Sequence, residues 1–372
     1  MNKSDLKRDY FMLKGPLAKK GYDWWWHSLT AYNKKTGEPR PFFIEYFVCN
    51  PALAEEEPTL GQLPENKAAG KPPSYCMVKA GTWGKNPKQI HNFYSMKYFE
   101  CPDDELNIRV GDCSLTETHM SGFSRVSEEE AREHPEFMCD AGEMRWDLDI
   151  DKQIAFNVGY GANSLFRKLN SFEMFWHAEG IKTEYSGTIW LDGEEYEVIP
   201  EKSYGYADKN WGGDFTSPWL WISSCNITSL ITGKKLNNSA FEAGGGRPKA
   251  FGIAIPRKLL IGFYYEGTMY EYNFARFWNM VKIDFDFEEG DEVHTWHVNA
   301  TNKNSRMELV LYCKRDEMLL INYEAPDGQK RHNRLWNGGN GWGEIKLYKK
   351  DGTLIDHVKI ENAGCEYGEY DK

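Results

Sequence analysis

The sequence lacks the features of several large protein classes. No apolar run approaches the roughly 18 residues that a membrane-spanning helix needs, and the mean hydropathy is -0.67, which excludes an integral membrane protein. There is no basic stripe, and 45 Lys and Arg residues stand against 56 Asp and Glu, so nucleic acid is not an expected partner. The charged N-terminus has no apolar core like that of a secretory signal, and we therefore expect a cytoplasmic protein.

Common cofactor and nucleophile motifs are also missing. The sequence has no P-loop, no H-E-x-x-H and no G-x-S-x-G. Its eight cysteines are widely spaced and form no C-x-x-C pair, which argues against zinc knuckles and redox pairs and favours reduced, mostly buried thiols. We therefore predict neither a cofactor nor a metal.

Aromatic residues and β-type alternation are abundant. Aromatic residues make up 15% of the chain, and apolar and polar side chains alternate with period two through most of it. Residues 143–150 are an example, because the even-numbered side chains are apolar and the odd-numbered ones are charged. Asp192-Gly193 and Asp351-Gly352 predict hairpin turns, since such pairs tolerate positive φ. The pattern predicts about twenty antiparallel strands.

Helical signals are few. Ser127 followed by three glutamates is a capping-box pattern that opens a short helix ending before Pro135. A second candidate helix runs from Ala162 to Leu169. Five prolines between Pro51 and Pro73 exclude a central strand, so this segment is expected to be a long loop or lid.

The number of strands bears on the architecture. A strongly twisted open sheet seldom exceeds about ten strands. We therefore predict an all-β protein of two barrels or sandwiches, with a joint near residues 190–200 and domains at residues 1–195 and 196–372. The pattern makes no prediction of the oligomeric state.

The densest group of unusual residues lies between positions 203 and 224. If residues 203–210 are extended, Tyr204, Tyr206, Asp208 and Asn210 share one face, and small residues fill the other. Burial among aromatic rings disfavours the charged form of a carboxyl group. It would therefore raise the pKa of Asp208 and suit it to donate a proton near neutral pH.

A purely structural interpretation of the same residues is also open. In it, Asp208 and Asn210 make turn and strand-end hydrogen bonds. Lys209 pairs with a surface acid, and Trp211 plugs the end of a barrel.

The segment Tyr206–Gly212 resembles the tocopherol cyclase-like proteins, which are grouped with the carotenoid hydratases and the fungal cyclases called Diels-Alderases. Its core is Asp-Lys-Asn-Trp-Gly, preceded by the hairpin Gly187–Tyr196 and followed by Trp219–Trp221. The resemblance extends over most of the chain. Gly21–Trp24 resembles the family's N-terminal glycine-aromatic entry, and Trp342–Glu344 resembles a late turn.

The resemblance implies two lipocalin-like β-barrels in tandem, with a hydrophobic ligand cavity at or near their interface. It also implies that Tyr206 and Asp208, which match a Tyr-x-Asp pair of the hydratases, form the catalytic acid site. The family's upstream His-x-aromatic element is matched loosely by Phe175–His177, where the histidine directly follows the tryptophan. The predicted substrate-binding residues are Trp176, His177, Tyr204, Asn210, Trp211, Trp219 and Trp221.

A mechanism follows from this assignment. Asp208, kept protonated by apolar surroundings, would protonate an alkene of a hydrophobic small molecule. The ring faces of Trp176, Tyr206 and Trp211 would stabilise the resulting cation. Capture by an internal hydroxyl gives cyclisation, capture by water gives hydration, and proton loss gives isomerisation. The sequence does not select among these outcomes and does not identify the substrate.

Two other functions stay open. A β-barrel lined by aromatic side chains binds apolar ligands without any chemistry, as in a carrier. A carbohydrate-active β-sandwich is the other, since Trp and Tyr stack on sugars and acidic pairs are plentiful. An enclosed apolar site around Asp208 argues against sugar, whereas a flat, exposed row of tryptophans with two facing carboxylates favours it.

Overall fold

Two large antiparallel sheets follow one another along the chain. The computed structural model describes residues 6–61, 63–157, 165, 168–169, 171–254, 256, 258–274, 277–328 and 331–369. The first sheet has 12 strands and the second has 11, and a separate two-stranded ribbon accompanies them. The predicted all-β class, with two successive barrel-like sheets and few short helices, is confirmed.

The first sheet runs from Tyr22 to Gly212. Its strands are β1 (Tyr22–Asn33), β2 (Pro39–Cys49), β3 (Tyr75–Thr82), β4 (Lys88–Tyr94), β5 (Phe99–Glu100), β6 (Asn107–Val110), β7 (Cys113–Thr116), β8 (His119–Val126), β9 (Gly142–Phe156), β10 (Met174–Leu191), β11 (Glu194–Val198) and β12 (Gly205–Gly212). Their spatial order is β4-β3-β2-β1-β11-β10-β9-β8-β7-β6-β5, and β12 pairs with both β1 and β10.

The second sheet runs from Trp219 to Gly368. Its strands are β13 (Trp219–Ser224), β14 (Asn226–Ser229), β15 (Ala240–Gly246), β18 (Lys258–Tyr265), β19 (Thr268–Asn273), β20 (Lys282–Glu288), β21 (Val293–Thr301), β22 (Ser305–Lys314), β23 (Leu319–Glu324), β24 (Arg331–Lys349) and β25 (Leu354–Gly368); the ribbon is β16 (Lys249–Ala250) and β17 (Ile253–Ala254). The spatial order is β19-β18-β15-β13-β25-β24-β22-β21-β20, with β14 on β25 and β23 on β24.

The described helices are short. They are α1 (Pro16–Lys19), α2 (Pro64–Ala69) and α3 (Glu128–Glu133), with 3-10 turns at Pro51–Leu53, Met96–Tyr98, Pro135–Phe137, Pro200–Lys202, Phe277–Asn279 and Arg315–Glu317. The predicted cap of α3 is confirmed, because the Ser127 side chain accepts a hydrogen bond from the Glu130 amide. The predicted helix at 162–169 lies largely outside the described residues. None of the described helices is long and apolar enough to span a membrane.

The other local predictions have mixed outcomes. Both predicted hairpins are confirmed. Asp192 and Gly193 join β10 to β11, both with positive φ, and Asp351 and Gly352 lie in the turn that joins β24 to β25, where Gly352 has positive φ. Segment 51–73 is not a central strand, as predicted, but it contains α2 and a 3-10 turn rather than loop alone. All eight cysteines are free thiols, and most are buried.

The chain leaves the first sheet at Gly212 and enters the second sheet at Trp219. Strand β12 therefore still belongs to the first sheet, although it lies beyond the joint predicted near residue 195. We propose that the boundary between the two domains is this connection.

Three apolar cores follow from the alternation of side chains along the strands. One core fills the first sheet and another fills the second. The third lies between the sheets and takes side chains from both. In β1, for example, Trp24 and Trp26 enter the core between the sheets, while Trp25 enters the core of the first sheet. Central strands are therefore buried on both faces, which explains runs of consecutive large side chains such as Trp24–Trp26.

Gly364 on β25 lies directly against the ring of Trp221 in the core between the sheets. A Cβ atom at this position would overlap the ring, which is buried and cannot move aside. We expect Gly364→Ala to lower the free energy of unfolding by about 1–3 kcal/mol, as overpacking of a core does. Urea unfolding measures the loss.

Gly213→Ala is the matched control. A Cβ there meets nothing closer than 3.7 Å, so we expect a change of about 1 kcal/mol or less. Equal effects of the two substitutions would contradict this account of the packing.

Candidate functional site

Strand β12 carries the candidate acid on the face that meets the second sheet. Tyr206, Asp208 and Asn210 are buried and share this face, as predicted from the sequence. Asp208 lies opposite Trp26 of β1, and Asn210 lies opposite Trp176 of β10. Asp208 is therefore inside a paired central strand and not at a turn or a strand end.

The carboxyl group of Asp208 is held by neutral donors. Its Oδ2 accepts hydrogen bonds from Trp176 Nε1 at 2.8 Å and from the Tyr206 hydroxyl at 2.9 Å. Among the described residues, its Oδ1 has no hydrogen-bond partner. Burial raises the pKa of Asp208 to about 7, against the opposing hydrogen bonds of Trp176 and Tyr206. A substantial fraction of Asp208 is therefore protonated at neutral pH.

Two further buried acids lie in the core between the sheets. Glu242 Oε1 accepts from Trp221 Nε1 at 3.0 Å and lies 3.2 Å from the Tyr206 hydroxyl. Glu366 Oε2 accepts from Trp219 Nε1 at 2.9 Å, and Asn337 donates to its other oxygen. Burial raises the pKa of Glu366 to about 7.

The pKa of Glu242 lies well above its usual range. Burial is the largest cause, and the charge of Asp208 is the second. The hydrogen-bond donors of Glu242 are also neutral, so among the described residues no adjacent cation favours its ionisation.

Aromatic rings surround these acids. The rings of Tyr206 and Trp221 have centroids 5.0 Å apart, and Trp176 meets Trp219 edge to face at 6.5 Å. None of these four side chains is more than 6% exposed. The setting is an enclosed aromatic one and not a flat, solvent-facing row of tryptophans.

The remaining predicted residues are divided between two faces. Trp219 and Trp221 lie in the core between the sheets, and Tyr204 is partly buried against it. Trp211 and His177 instead point into the first sheet, away from Asp208. Trp211 stacks on Phe175 with centroids 5.4 Å apart, and His177 Nδ1 lies 2.6 Å from Asp9 Oδ1.

Glu242, Glu366 and Trp24 were not among the site residues predicted from the sequence. Trp24 lies close enough to Asp208 to lower its pKa, but its indole nitrogen has no hydrogen-bond partner among the described residues. Glu242 did carry a signal, because in β15 it alternates with the small residues Ala240 and Gly244 on one face. Small residues on either side of an acid leave room for a large side chain of the opposite sheet. Here Trp176 packs closely against Gly244.

Among the described residues, one cluster of three acidic side chains has the spacing of a metal site, but a lysine already forms ion pairs with it. Oxygen atoms of Asp9, Glu117 and Glu179 lie within 4.8 Å of one another in the first sheet. Lys152 Nζ lies 2.5 Å from Glu179, 3.0 Å from Glu117 and 4.0 Å from Asp9. This ammonium group occupies the position that a metal ion would need.

Lys209, next to the candidate acid, points into the first sheet. It forms an ion pair with Asp23, and both side chains are fully buried, so its partner is not the surface acid of the structural interpretation. Its Nζ also lies 3.8 Å from the ring centroid of Trp25. Lys209 therefore contributes to the scaffold behind Asp208.

We expect Lys209→Met to lower the free energy of unfolding by about 3–5 kcal/mol, because it leaves Asp23 as a buried charge without a partner. The double variant Asp23→Asn/Lys209→Met removes both charges and is expected to recover part of the loss. Urea unfolding of the three proteins measures the difference. A double variant as unstable as Lys209→Met would contradict the buried pair.

The chain is similar to plant tocopherol cyclases over part of its length. A segment of 104 residues, 27% of the chain, is 38% identical to the chloroplastic tocopherol cyclase of Zea mays. It is 36% identical to a probable chloroplastic tocopherol cyclase of Oryza sativa subsp. japonica. The matched segment spans 20% of the length of each of these relatives.

Two solved structures align with nearly the whole chain. Kievitone hydratase from Nectria haematococca gives a TM-score of 0.48 at 13% identity, covering 98% of this chain and 92% of that one. CghA with Sch210972 gives a TM-score of 0.47 at 9% identity, covering 95% and 90%.

The sequence profile described as tocopherol cyclase-like matches residues 92–369. This range is well over half of the chain and includes β12 with its Asp-Lys-Asn-Trp-Gly core. The chain therefore belongs to the tocopherol cyclase-like family.

Proposed function

We propose that the protein is a cofactor-independent acid-base enzyme that protonates an alkene of a hydrophobic small molecule, with Asp208 as the general acid. The observation that carries the proposal is the Asp208 carboxyl group, buried among tryptophans and held only by neutral donors among the described residues. Such a group keeps its proton near neutral pH and can release it to a weak base. The family and its plant relatives support a cyclase type of reaction.

The surroundings of Asp208 suit a cationic intermediate. A carbocation held over the face of a tryptophan or tyrosine ring gains about 2 kcal/mol or more when water is excluded. Trp176 and Tyr206 contact Asp208 directly, so a carbon atom protonated by Asp208 would lie close to their rings. Trp211 has no part in this step, because it lies on the other face of β12.

Asn210 is suited to orient a polar group of the ligand. Its side chain faces the same core as Asp208 and is 1% exposed. Neither its amide nitrogen nor its oxygen has a hydrogen-bond partner among the described residues. Because unpaired buried amides cost free energy, a ligand that bonds to Asn210 would recover part of that cost.

The choice between cyclisation, hydration and isomerisation depends on what captures the cation. We propose all three outcomes without a preference among them. If the protein binds a ligand and releases it chemically unchanged, the carrier function is favoured instead. A cytoplasmic location stays a prediction, and the two plant relatives are described as chloroplastic.

Asp208→Asn tests the proposal. We expect at least a 100-fold loss of turnover, because the variant keeps the shape of the side chain but has no carboxylic proton to donate. The protein is incubated in deuterium oxide with a total lipid extract and, in parallel, with farnesol and geranylgeraniol. Mass spectrometry detects altered species that have gained deuterium on carbon.

Asp149→Asn is the matched control, since Asp149 is an exposed aspartate on strand β9. It is expected to turn over like the unsubstituted protein. Equal turnover by Asp208→Asn and Asp149→Asn would overturn the role of Asp208. Recovery of bound but unaltered lipid with the unsubstituted protein would favour a carrier.

The stability of the protein should report the protonation of Asp208 without a substrate. The pKa of Asp208 is about 7 in the folded protein and near 3.8 when unfolded. Between these values the folded state binds more protons, so the contribution of Asp208 to stability falls as the pH rises from about 4 to 7. Asp208→Asn removes this decline. We expect its unfolding free energy, relative to the unsubstituted protein, to rise by on the order of 3–4 kcal/mol across that range.

Urea unfolding at a series of pH values measures this difference. Other buried acids, such as Glu366 and Glu179, titrate in both proteins and therefore largely cancel. A difference that stays constant from pH 4 to 8 would show that Asp208 is ionised throughout.

A further inference from the structure

We propose that Glu242 is a second proton-carrying residue of this site, which exchanges a proton with Asp208 through the hydroxyl group of Tyr206. This inference rests on the proposed function and assigns a role to a residue on the second sheet. It makes the reaction a joint property of the two sheets, since Asp208 and Tyr206 lie on β12 and Glu242 lies on β15.

The first argument is the geometry of the bridge. The Tyr206 oxygen lies 2.9 Å from Asp208 Oδ2 and 3.2 Å from Glu242 Oε1. A hydroxyl group has one hydrogen, so it cannot donate to both carboxyl groups at once. Both contacts are hydrogen bonds when one carboxyl group is protonated and donates to the Tyr206 oxygen. The three groups then form a continuous path for a proton.

The second argument is that each acid has one occupied and one open oxygen. Trp176 donates to the same Asp208 oxygen that faces Tyr206, and Trp221 donates to the same Glu242 oxygen. Among the described residues, Asp208 Oδ1 and Glu242 Oε2 have no partner. One oxygen of each acid is therefore committed to the bridge, while the other remains available to a ligand.

The third argument is the absence of neutralising cations. Within the described part of the chain, neither Asp208 nor Glu242 forms an ion pair, whereas Glu45 in the same core pairs with Lys79 at 3.2 Å. A lysine would hold a carboxylate in its ionised form. Without one, the two acids and the phenol can share protons.

The proposed cycle starts with both acids protonated. Asp208 transfers the proton on its open oxygen to an alkene carbon, which forms a C–H bond and leaves a carbocation. Tyr206 passes its proton to Asp208 and receives the proton of Glu242, so the negative charge moves to Glu242. The cation is captured by a hydroxyl group or water, or it loses a proton. In each case the released proton goes to the open oxygen of Glu242, so both acids are protonated again. Rotation of the two carboxyl groups then returns each proton to the oxygen on which it started.

Glu242→Gln tests the role of Glu242, because the amide keeps an oxygen for Tyr206 and Trp221 but cannot exchange a proton. With the same lipid extract and prenyl alcohols, we expect turnover to fall about 100-fold. Because the cycle needs both acids protonated, we also expect the decline of turnover at high pH to change from the loss of two protons to the loss of one. Glu366→Gln is the matched control. Glu366 is also buried and bonded to an indole, but the described contacts do not connect it to Tyr206, so we expect the two-proton decline at high pH to remain.

A second readout needs no substrate. The infrared band of protonated carboxyl groups is titrated with pH, and the contribution of Glu242 is identified by its loss in Glu242→Gln. The charge of Asp208 raises the pKa of Glu242, so in Asp208→Asn the Glu242 band is expected to disappear at a lower pH. An unshifted Glu242 titration would overturn the exchange, since the two acids would then be independent.

The outcomes separate the two proposals. If Asp208→Asn abolishes turnover while Glu242→Gln retains it with an unchanged decline at high pH, the role of Glu242 is wrong and the proposed function stands. If Asp208→Asn retains turnover, the proposed function itself is wrong. Should Glu242→Gln not fold, Tyr206→Phe keeps both carboxyl groups and removes only the bridging oxygen. An unchanged pH profile in that variant would overturn the exchange.

Discussion

The burial of carboxyl groups between two sheets, without cations to pair them, is the constraint on which the candidate site depends. Asp208 and Glu242 receive hydrogen bonds from indole and phenol groups, and Glu366 receives them from an indole and an amide. An ionised carboxylate in this core would exchange its hydration for a few neutral hydrogen bonds, which favours the protonated acid. These groups therefore retain protons at pH values where exposed carboxyl groups have lost them.

On the opposite face of β12, a buried charge is stabilised by a partner of opposite charge. Lys209, one residue after the candidate acid, is buried with Asp23, so charge is compensated by charge. Behind Tyr206, the hydroxyl of Tyr185 donates to the backbone carbonyl of Tyr206 at 2.9 Å and lies 2.8 Å from His27 Nδ1. The backbone that carries Asp208 is thus fixed from the face of β12 opposite to the Asp208 side chain. The ion pair of Lys209 with Asp23 thus stabilises one face of β12, while Asp208 on the other face has only neutral donors and can keep its proton.

Local alternation predicted part of this arrangement and could not have predicted the rest. The shared face of Tyr206, Asp208 and Asn210 follows from period two alone, and so does the all-β class. The same parity places Trp211 on the other face, but its position in the motif had assigned it to the site. The role of Glu242 depends on how one sheet packs on another, over a separation of 36 residues from Tyr206. No short-range pattern encodes that contact.

The tryptophans of this core act as hydrogen-bond donors as well as apolar bulk. An indole N–H stabilises a carboxylate less than an ammonium group does, so it lowers the pKa of a buried acid without forcing ionisation. Asp208 receives an indole and a phenol hydrogen bond, and its pKa is about 7. Glu242 has its own indole but shares the phenol with Asp208, and burial and the Asp208 charge both raise the pKa of Glu242. Neutral donors thus leave both acids able to hold a proton and to pass it on, which a paired ammonium group would prevent.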